Sequence, residues 1–322
     1  MQHNRPRRRR RMLIAGATLG LVALPATASA EQRLTLTVLD ESSGSTQIAV
    51  MSANGGKPEI IGDPPRGVWA SCANWWPGRD RLLFTQQNRD TLRPATAASM
   101  TTSGTQRRTI PNSTGLGCIA ADASGGRFAF TGFADDRSVV GTMLADGSAR
   151  VILGRSKSAM FFSPAISPDG RRVAVNKVVY GADGSGVKSA DLFVWDLADG
   201  TKTNITKDRA KPFYEPSWAG NGRLLAVRSS SGVVIMNADG TQTTKIVQGG
   251  GVAVSPVLSP SGKRVAYLTC SGDCGDPQLQ GTGTVWRVKL DGSGKKKLFS
   301  SAAALQPNTS VAWMGTPATD VQ

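Results

Sequence analysis

One short segment recurs along this sequence and restricts what the chain can fold into. Residues 163–175 read SPAISPDGRRVAV, close copies begin at Glu215 and Ser255, and looser copies begin at Cys72 and Cys118. Each copy predicts a short strand, a tight turn rich in Pro, Asp and Gly, a basic residue and a short apolar strand. A strand–turn–strand unit that returns at intervals predicts a repeat architecture.

A second motif, a hairpin turn that ends in glycine, sets the length of the repeat. Asp199-Gly200 is typical, because both central residues of such a turn can adopt positive φ. The six copies end at Gly55, Gly104, Gly147, Gly200, Gly240 and Gly292. Successive glycines are 49, 43, 53, 40 and 52 residues apart, which is in the range of four-stranded propeller blades.

These units predict an all-β fold, a six-bladed β-propeller over residues 31–315 with strands A to D in every blade. Strands A and B flank the first turn, and strands C and D flank the glycine turn. The first repeat of the chain begins at strand B and therefore lacks a strand A of its own. Residues 310–314 (SVAWM) resemble a strand A, because Trp313 matches Trp75 and Trp218. We therefore expect the C-terminal strand to pair into blade one, which closes the ring and removes exposed sheet edges.

The N-terminal residues are typical of an export signal. Six arginines lie within residues 5–11, residues 12–24 form an apolar run that is short for a membrane span, and residues 28–30 (ASA) form a small-residue cleavage site. We predict a cleaved signal peptide over residues 1–30 and a bacterial protein that is exported to the periplasm or the cell exterior, without a transmembrane anchor in its mature form. The alternative is a basic tail followed by a membrane anchor. Residues 316–322 would form a short tail.

The predicted signal peptide carries six arginines and no acid, so its removal lowers the formal net charge from +15 to +9. The remaining basic residues are spread along the chain, and we predict no nucleic-acid partner. The charge leaves open one alternative function, the binding of an anionic cell-wall polymer. Basic clusters in outer strands, such as residues 295–297, more often keep an exposed edge from pairing with other chains.

The SPDG-type segments resemble the WD40-like repeats of the TolB-like β-propeller family, and they are also similar to the propeller that precedes the peptidase domain in prolyl oligopeptidases. The resemblance covers nearly the whole predicted mature chain and is specific for architecture rather than for a ligand. It implies an exported, non-enzymatic binding or scaffolding module with a protein partner in the cell envelope, which we expect to be a monomer. TolB itself has a separate N-terminal α/β domain, which we expect this chain to lack because blade one begins close to residue 31.

The catalytic residue types also predict a protein that is not an enzyme. The one histidine, His3, lies in the predicted signal peptide, so the mature chain has no base for Ser-His-Asp or Cys-His catalysis. We predict no cofactor. The alternative is an enzyme with its site in the channel, of the calcium-dependent lactonase or hydrolase type, which needs several acids converging on one ion.

The first residue of each repeat copy is expected to line the central channel, because the inner strands of a propeller surround its axis. These six residues are Cys72, Cys118, Ser163, Glu215, Ser255 and Ser310. Glu215 is the single charged member, and one carboxylate is too few for a calcium site. We interpret it as a hydrated carboxylate, with a contact to a ligand or cation as the functional alternative.

Four cysteines in an exported chain predict two disulfides. Cys72 and Cys118 hold the same repeat position on adjacent inner strands, which converge on the axis and can bring the two within bridging distance. Cys270 and Cys274 lie in one loop and would pair with each other.

Connection lengths predict that the two faces of the propeller differ. The A–B and C–D turns share one face, the tight-turn face, whereas the longer B–C and D–A connections share the opposite one, the loop face. Long loops on a rigid scaffold often carry function, although these loops could also be mobile and idle. We predict that the loop face binds the partner through residues in the long B–C loops of blades two, four and six. These residues are Arg89, Asp90, Arg93, Tyr180, Asp183, Lys188, Asp273, Asp276 and Gln278.

Overall fold

The described part of the chain contains strands and turns. The computed structural model describes residues 33–40, 45–62, 67–88, 94–181, 186–207, 209, 211–228, 232–247, 252–271, 282–301 and 311–314. The predicted signal peptide and C-terminal tail lie outside these residues. Within them the chain forms 24 strands and no helix, and hence no helix that could cross a membrane.

The strands form six antiparallel four-stranded sheets, which are the six predicted blades. Blades one to three contain β1 (Arg33–Asp40), β2 (Ser45–Ser52), β3 (Glu59–Ile60), β4 (Val68–Trp76), β5 (Arg81–Asn88), β6 (Thr96–Thr101), β7 (Arg108–Thr109), β8 (Leu116–Ala121), β9 (Arg127–Ala134), β10 (Arg137–Leu144) and β11 (Val151–Ser156). Blades four to six contain β12 (Met160–Ile166), β13 (Arg172–Tyr180), β14 (Val187–Asp196), β15 (Lys202–Asn204), β16 (Phe213–Trp218), β17 (Leu224–Arg228), β18 (Gly232–Met236), β19 (Thr244–Lys245), β20 (Val252–Leu258), β21 (Arg264–Ser271), β22 (Thr282–Lys289) and β23 (Lys296–Ser301). The last strand, β24 (Val311–Trp313), returns to blade one.

Blade one is built from the beginning and the end of the described chain. Strand β24 pairs antiparallel with β1, with Leu34 opposite Trp313 and Leu36 opposite Val311. The backbone N–H of Met314 also donates a hydrogen bond to the carbonyl oxygen of Arg33. The predicted ring closure by the C-terminal strand is therefore confirmed.

The apolar core is divided among the interfaces between neighbouring blades. Six buried clusters are present, and each draws its residues from two adjacent blades. Strand β5 shows how the sequence produces this arrangement, because successive side chains of a strand point to opposite faces. Leu82 and Phe84 pack in the cluster shared with blade one, whereas Leu83 packs in the cluster shared with blade three. A B strand is therefore apolar on both faces, and all three of these residues are fully buried.

Tryptophans at the ends of inner strands fix neighbouring blades to each other. The indole N–H of Trp76 in blade two donates a hydrogen bond of 2.8 Å to the carbonyl oxygen of Gly125 in blade three. The same ring meets Phe128 edge to face, with the ring centroids 5.1 Å apart. In the same way, the indole N–H of Trp218 donates to the carbonyl oxygen of Ala165 in the preceding blade. These contacts hold the inner strands, and thus the channel wall, in place.

Candidate binding site in the central cavity

The inner strands share a local irregularity at the first position of the repeat. In β4, β12, β16 and β20 the register with the B strand shifts at this point. Cys72, Ser163, Glu215 and Ser255, the residues at these positions, have positive φ values of 53°, 49°, 53° and 50°. Residues other than glycine rarely adopt this left-handed backbone, and bulges of this kind re-aim side chains. The repeated bulge therefore places four first-position residues at the channel wall.

A cavity of about 220 Å³ lies on the axis, between the inner strands and the A–B turns of the tight-turn face. Five of the six predicted channel residues line it, namely Cys72, Cys118, Ser163, Glu215 and Ser255. Ser310, the sixth, lies outside the described residues. The wall also contains Trp75, Trp218 and Trp313 and a set of prolines at the second repeat position and in the turns. The cavity is thus mostly apolar and aromatic, and Glu215 is the single charged residue among the described residues that line it.

A disulfide joins two members of this wall. Cys72 and Cys118 are bonded, and their Cα atoms lie 5.4 Å apart. The bond links the inner strands of blades two and three, and the prediction of this pair is confirmed. The second predicted pair, Cys270 and Cys274, falls on side chains outside the described part of the structure.

The carboxylate of Glu215 is held in a desolvated position. Its Oε2 atom accepts a hydrogen bond from the backbone N–H of Ser255 in the next blade. Burial by the surrounding protein raises the pKa of Glu215 to about 7, although the hydrogen bond from Ser255 lowers it in part. The side chain keeps a partial contact with the cavity, and no Lys, Arg or His occurs among the described lining residues. Near neutral pH this group is therefore divided between its charged and its neutral form.

The geometry restricts the chemistry that the cavity can perform. No group of three or more His, Cys, Asp or Glu close enough to hold a metal ion occurs among the described residues. Calcium usually takes six to eight oxygen ligands, and the lining supplies the single carboxylate of Glu215. One carboxylate between aromatic walls can instead attract a monovalent cation or exchange a proton.

The predicted loop-face residues are described only in part. Tyr180 ends β13 and Lys188 lies at the start of β14, and both side chains are exposed. The remaining seven predicted positions are not among the described residues; these are Arg89, Asp90, Arg93, Asp183, Asp273, Asp276 and Gln278.

The loop face carries four exposed apolar side chains, of which the sequence pattern indicated Tyr180 but not the other three. Trp69, Phe133, Tyr180 and Val187 are 40%, 55%, 39% and 45% exposed, respectively. All four lie at strand ends that point to the loop face, in blades two, three and four. We call them the loop-face apolar residues. The sequence signal for Phe133 is a large apolar residue that follows Gly132 near the loop-face end of β9 (RFAFTGFA).

The tight-turn face carries a set of six arginines, one from each blade. Each of them directly precedes the buried stretch of a B strand. These arginines are Arg33, Arg81, Arg127, Arg172, Arg223 and Arg264. The acids of the neighbouring C–D turns accept hydrogen bonds from the turn backbone, as Asp146 does from the N–H of Ser148. The hydrogen bonds with Ser148 hold the pKa of Asp146 below its ordinary value. Among the described residues the single ion pair closer than 4 Å, Arg155–Asp135, lies on the loop face.

Comparisons with known proteins agree with this architecture. No profile of a known protein family matches the sequence. A TolB homologue from Chlorobium luteolum is 29% identical over 137 residues, which span 42% of this chain and 29% of the homologue. The match therefore covers less than a third of that protein's own length.

Two solved structures have the same fold. The crystal structure of TolB from Acinetobacter baumannii superposes with a TM-score of 0.67 and 15% identity, covering 88% of this chain and 67% of that one. A chain of a nidogen/laminin complex superposes with a TM-score of 0.60 and 12% identity, covering 87% of this chain and 97% of that one. The repeats, the blades and the sequence match agree: the chain folds into a six-bladed β-propeller that is similar to the TolB proteins.

Proposed function

We propose that this protein is a non-enzymatic binding module of the bacterial cell envelope, which recognises a protein partner through the loop face of its propeller. The observation that carries the proposal is the exposure of the loop-face apolar residues on three consecutive blades. Aromatic side chains are enriched in the buried centres of protein interfaces, and a few of them usually supply most of the binding energy. The closed ring holds these side chains on a rigid scaffold, which lowers the entropy lost on binding.

The N-terminal sequence supports the proposed location. A basic segment, an apolar run and an A-x-A site support export and cleavage before Glu31. The C. luteolum relative carries the name TolB homologue, and the family resemblance implies an envelope location. Fractionation of cells that express a C-terminally tagged protein tests this point, together with N-terminal sequencing of the tagged product.

The absence of enzymatic activity is part of the same proposal. Residues 31–322 contain no histidine, and the described residues hold no cluster that could bind a catalytic metal ion. A module that binds a protein partner through exposed apolar side chains needs neither a catalytic histidine nor a metal ion. We expect the purified protein to run as a monomer in size-exclusion chromatography and to retain no calcium after dialysis against buffer.

The test uses two exposed apolar residues of blade three that lie on opposite faces. Phe133 is 55% exposed on the loop face, and Val151 is 51% exposed on the tight-turn face. The protein is used to capture its partner from its own envelope fraction, and the captured protein is then identified by mass spectrometry. We expect Phe133→Ser to weaken capture about tenfold or more and Val151→Ser to leave it unchanged.

Two outcomes would reject the loop-face proposal. Capture that survives both Phe133→Ser and Tyr180→Ser would show that these side chains do not contact the partner. Capture that is lost with Val151→Ser alone would move the interface to the tight-turn face. Thermal melts of each variant establish that the fold is intact before the capture results are compared.

A second candidate function, the binding of an anionic cell-wall polymer, is favoured by the arginines of the tight-turn face. Two pairs of arginines lie close together there. Burial and the neighbouring Arg108 lower the pKa of Arg81, and burial and the neighbouring Arg264 lower the pKa of Arg287. Polyanion binding weakens with salt because bound counterions are released. Co-sedimentation with purified cell walls at low and high NaCl tests this function, and an absence of binding at low salt rejects it.

A matched pair of triple variants locates such binding. Arg33, Arg127 and Arg264 are exposed members of the tight-turn arginines, and all three are replaced by glutamine in the first variant. In the second variant glutamine replaces Arg137, Arg155 and Lys188, which lie towards the loop face. Loss of wall binding confined to the first variant supports the tight-turn face, whereas equal loss in both indicates a general effect of net charge.

A further inference from the structure

We propose that the central cavity binds a monovalent organic cation, a primary ammonium or a guanidinium on an apolar stem, with Glu215 as its counter-charge. The proposal concerns a different part of the molecule from the loop face, and it does not depend on the identity of a protein partner. It starts from the position of Glu215. This residue interrupts an otherwise uncharged set of described lining residues, and its backbone adopts the unfavourable left-handed conformation that places it at the cavity wall.

The carboxylate has a hydrogen bond but no opposite charge within the cavity. Oε2 accepts the N–H of Ser255, and no basic side chain lines the described wall. The charged or titratable side chains on the strands packed against β16 are Arg172, Lys177, Tyr180, Lys188, Asp191, Asp196 and Arg228, none of which lines the cavity. A desolvated charge of this kind is costly unless it is paired, so a cation that enters the cavity gains the interaction the protein itself does not provide.

The walls are suited to the rest of such a ligand. Trp75, Trp218 and Trp313 come from blades two, five and one, and indole faces attract cations more strongly than other aromatic rings do. The guanidinium of Arg172 already lies 5.1 Å from the centre of the Trp218 ring, and Trp218 and Trp313 are buried in the cores between blades. Trp75 is the least buried of the three and is therefore the ring most accessible to a ligand. Proline, alanine and larger aliphatic residues line most of the rest and offer apolar contact to an alkyl stem.

The same observations argue against a divalent ion. The described residues provide a single carboxylate at the cavity and no cluster of three metal-binding side chains. A singly charged group matches one carboxylate, and an apolar stem matches the walls. Two sources could supply this chemistry: a free small amine, or a lysine or arginine side chain on a partner protein that reaches into the channel.

The experiment titrates the purified protein, labelled with ¹⁵N at its seven tryptophan indoles, with defined probes at pH 8. The probes are n-butylammonium, n-butylguanidinium and the neutral n-butanol. The cavity indoles are assigned by single Trp→Phe replacements. We expect both cations to shift the cavity indole signals saturably and butanol to leave them unchanged at the same concentration. At pH 5 the cations should bind at least tenfold more weakly, because Glu215 is then protonated.

Glu215→Gln is the decisive variant, and Glu59→Gln is its matched control. Glutamine keeps the shape and the acceptor for Ser255 but removes the charge, whereas Glu59 is an exposed glutamate on β3. We expect Glu215→Gln to weaken binding of the cations about tenfold or more, as for hydrogen bonds to charged groups, and Glu59→Gln to leave it unchanged. The indole spectrum without probe checks that Glu215→Gln retains the native fold.

A second pair of probes separates the two sources of the cation. These are the capped tripeptide acetyl-Gly-Lys-Gly-amide and its analogue with norleucine in place of lysine. Glu215-dependent binding of the lysine peptide at least as tight as that of butylammonium assigns the site to a basic side chain of a partner, whereas binding of the small cations without binding of the peptide assigns it to free amines. The proposal is overturned if no cationic probe binds saturably, if butanol binds as tightly as butylammonium, or if Glu215→Gln retains wild-type affinity.

Discussion

The carboxylate of Glu215 accepts a hydrogen bond from the backbone N–H of Ser255, the residue that holds the same repeat position in the next blade. The corresponding residues of blades two and three, Cys72 and Cys118, are joined by a disulfide. The first-position residues are thus linked across two blade interfaces, once by a covalent bond and once by a hydrogen bond whose acceptor titrates. The interface between blades two and three is therefore sensitive to reduction, and the interface between blades five and six is sensitive to pH.

The first prediction concerns the pH dependence of stability at Glu215. The folded-state pKa is raised to about 7 from an ordinary value of 4.5, so the native state holds a proton that the unfolded state releases between these pH values. The penalty for burying the charge is full above pH 7, declines as the pH falls through 7 and is absent below pH 4.5. We expect Glu215→Gln to raise the free energy of unfolding by about 2–3 kcal/mol at pH 8 and to leave it unchanged at pH 4.

Urea denaturation at both pH values measures this effect. Glu59→Gln, which alters an exposed glutamate, should change stability by less than about 0.5 kcal/mol at either pH. A Glu215→Gln variant that is less stable than the wild type at pH 8 would show that the charged carboxylate stabilises the ring rather than straining it.

The second prediction concerns the disulfide at the channel wall. Cys72 and Cys118 are 46 residues apart in the sequence, and closing a loop of that length restricts the unfolded chain. The chain-entropy relation gives about 4 kcal/mol of stabilisation, so Cys72→Ser/Cys118→Ser should lose roughly this amount. The shift of the urea midpoint measures the loss, and reduction of the wild type with dithiothreitol should reproduce it. An unchanged midpoint in both experiments would count against a structural role for the bond.

The third prediction concerns ring closure. Truncation after residue 309 removes β24, and with it the buried Trp313 and the partner of β1. We expect aggregation or the loss of several kcal/mol of stability, because an apolar edge strand is exposed beside the channel. Truncation after residue 315 retains β24 and serves as the control, which should melt like the full chain. Equal melting temperatures for the two truncations would contradict closure by this strand.

The fourth prediction concerns Gly125, in the A–B turn that receives the indole of Trp76. Its φ is +68°, and a Cβ added there would lie 2.2 Å from the carbonyl oxygen of Pro77. Gly200 has a φ of +74° but no heavy atom within 4 Å of an added Cβ, so it is a matched control for the backbone conformation alone.

We expect Gly200→Ala to lose about 1 kcal/mol, the cost of the left-handed backbone. Gly125→Ala should lose about 2–4 kcal/mol, because the collision between blades adds to the same backbone cost. Thermal or urea unfolding of the two variants gives the comparison. Equal losses would mean that the turn of blade three shifts freely away from blade two.

Most of the fold could be predicted from the sequence because its causes are local and repeated. The Pro-Asp-Gly turns and the apolar B strands are visible in single copies, and their spacing gives the number of blades. Trp313 revealed the closing strand because it occupies the position of Trp218 in a complete repeat. The pairing of Cys72 with Cys118 was predictable for the same reason, since equal repeat positions on neighbouring inner strands lie close together.

The site was less predictable because its properties arise from packing between blades. Nothing in Ser163 or Glu215 as residue types favours positive φ, and the bulge is evident only from the register of the strands. The raised pKa of Glu215 depends on the neighbours that desolvate it.

The contacts of basic side chains near the outer strands were also hard to predict from the sequence. The charge pattern of residues 295–297 predicts protection of an edge strand, and the structure adds a contact that this pattern does not indicate: the ammonium of Lys295 lies 4.3 Å from the centre of the Trp286 ring. Arg107 likewise lies over the ring of Phe84, at 4.9 Å. Such contacts depend on which side of a blade each residue occupies, which the charge pattern alone does not reveal.

The division of the core into six clusters has a consequence for how the protein can lose its structure. In an open array of repeats each unit touches its neighbours along a line, and the terminal units can fray without disturbing the rest. Here every blade shares its apolar residues with two others, and blade one contains strands from both ends of the described chain. A closed circle of this kind has no terminal unit at which fraying could start, so releasing one blade uncovers the cores on both of its sides.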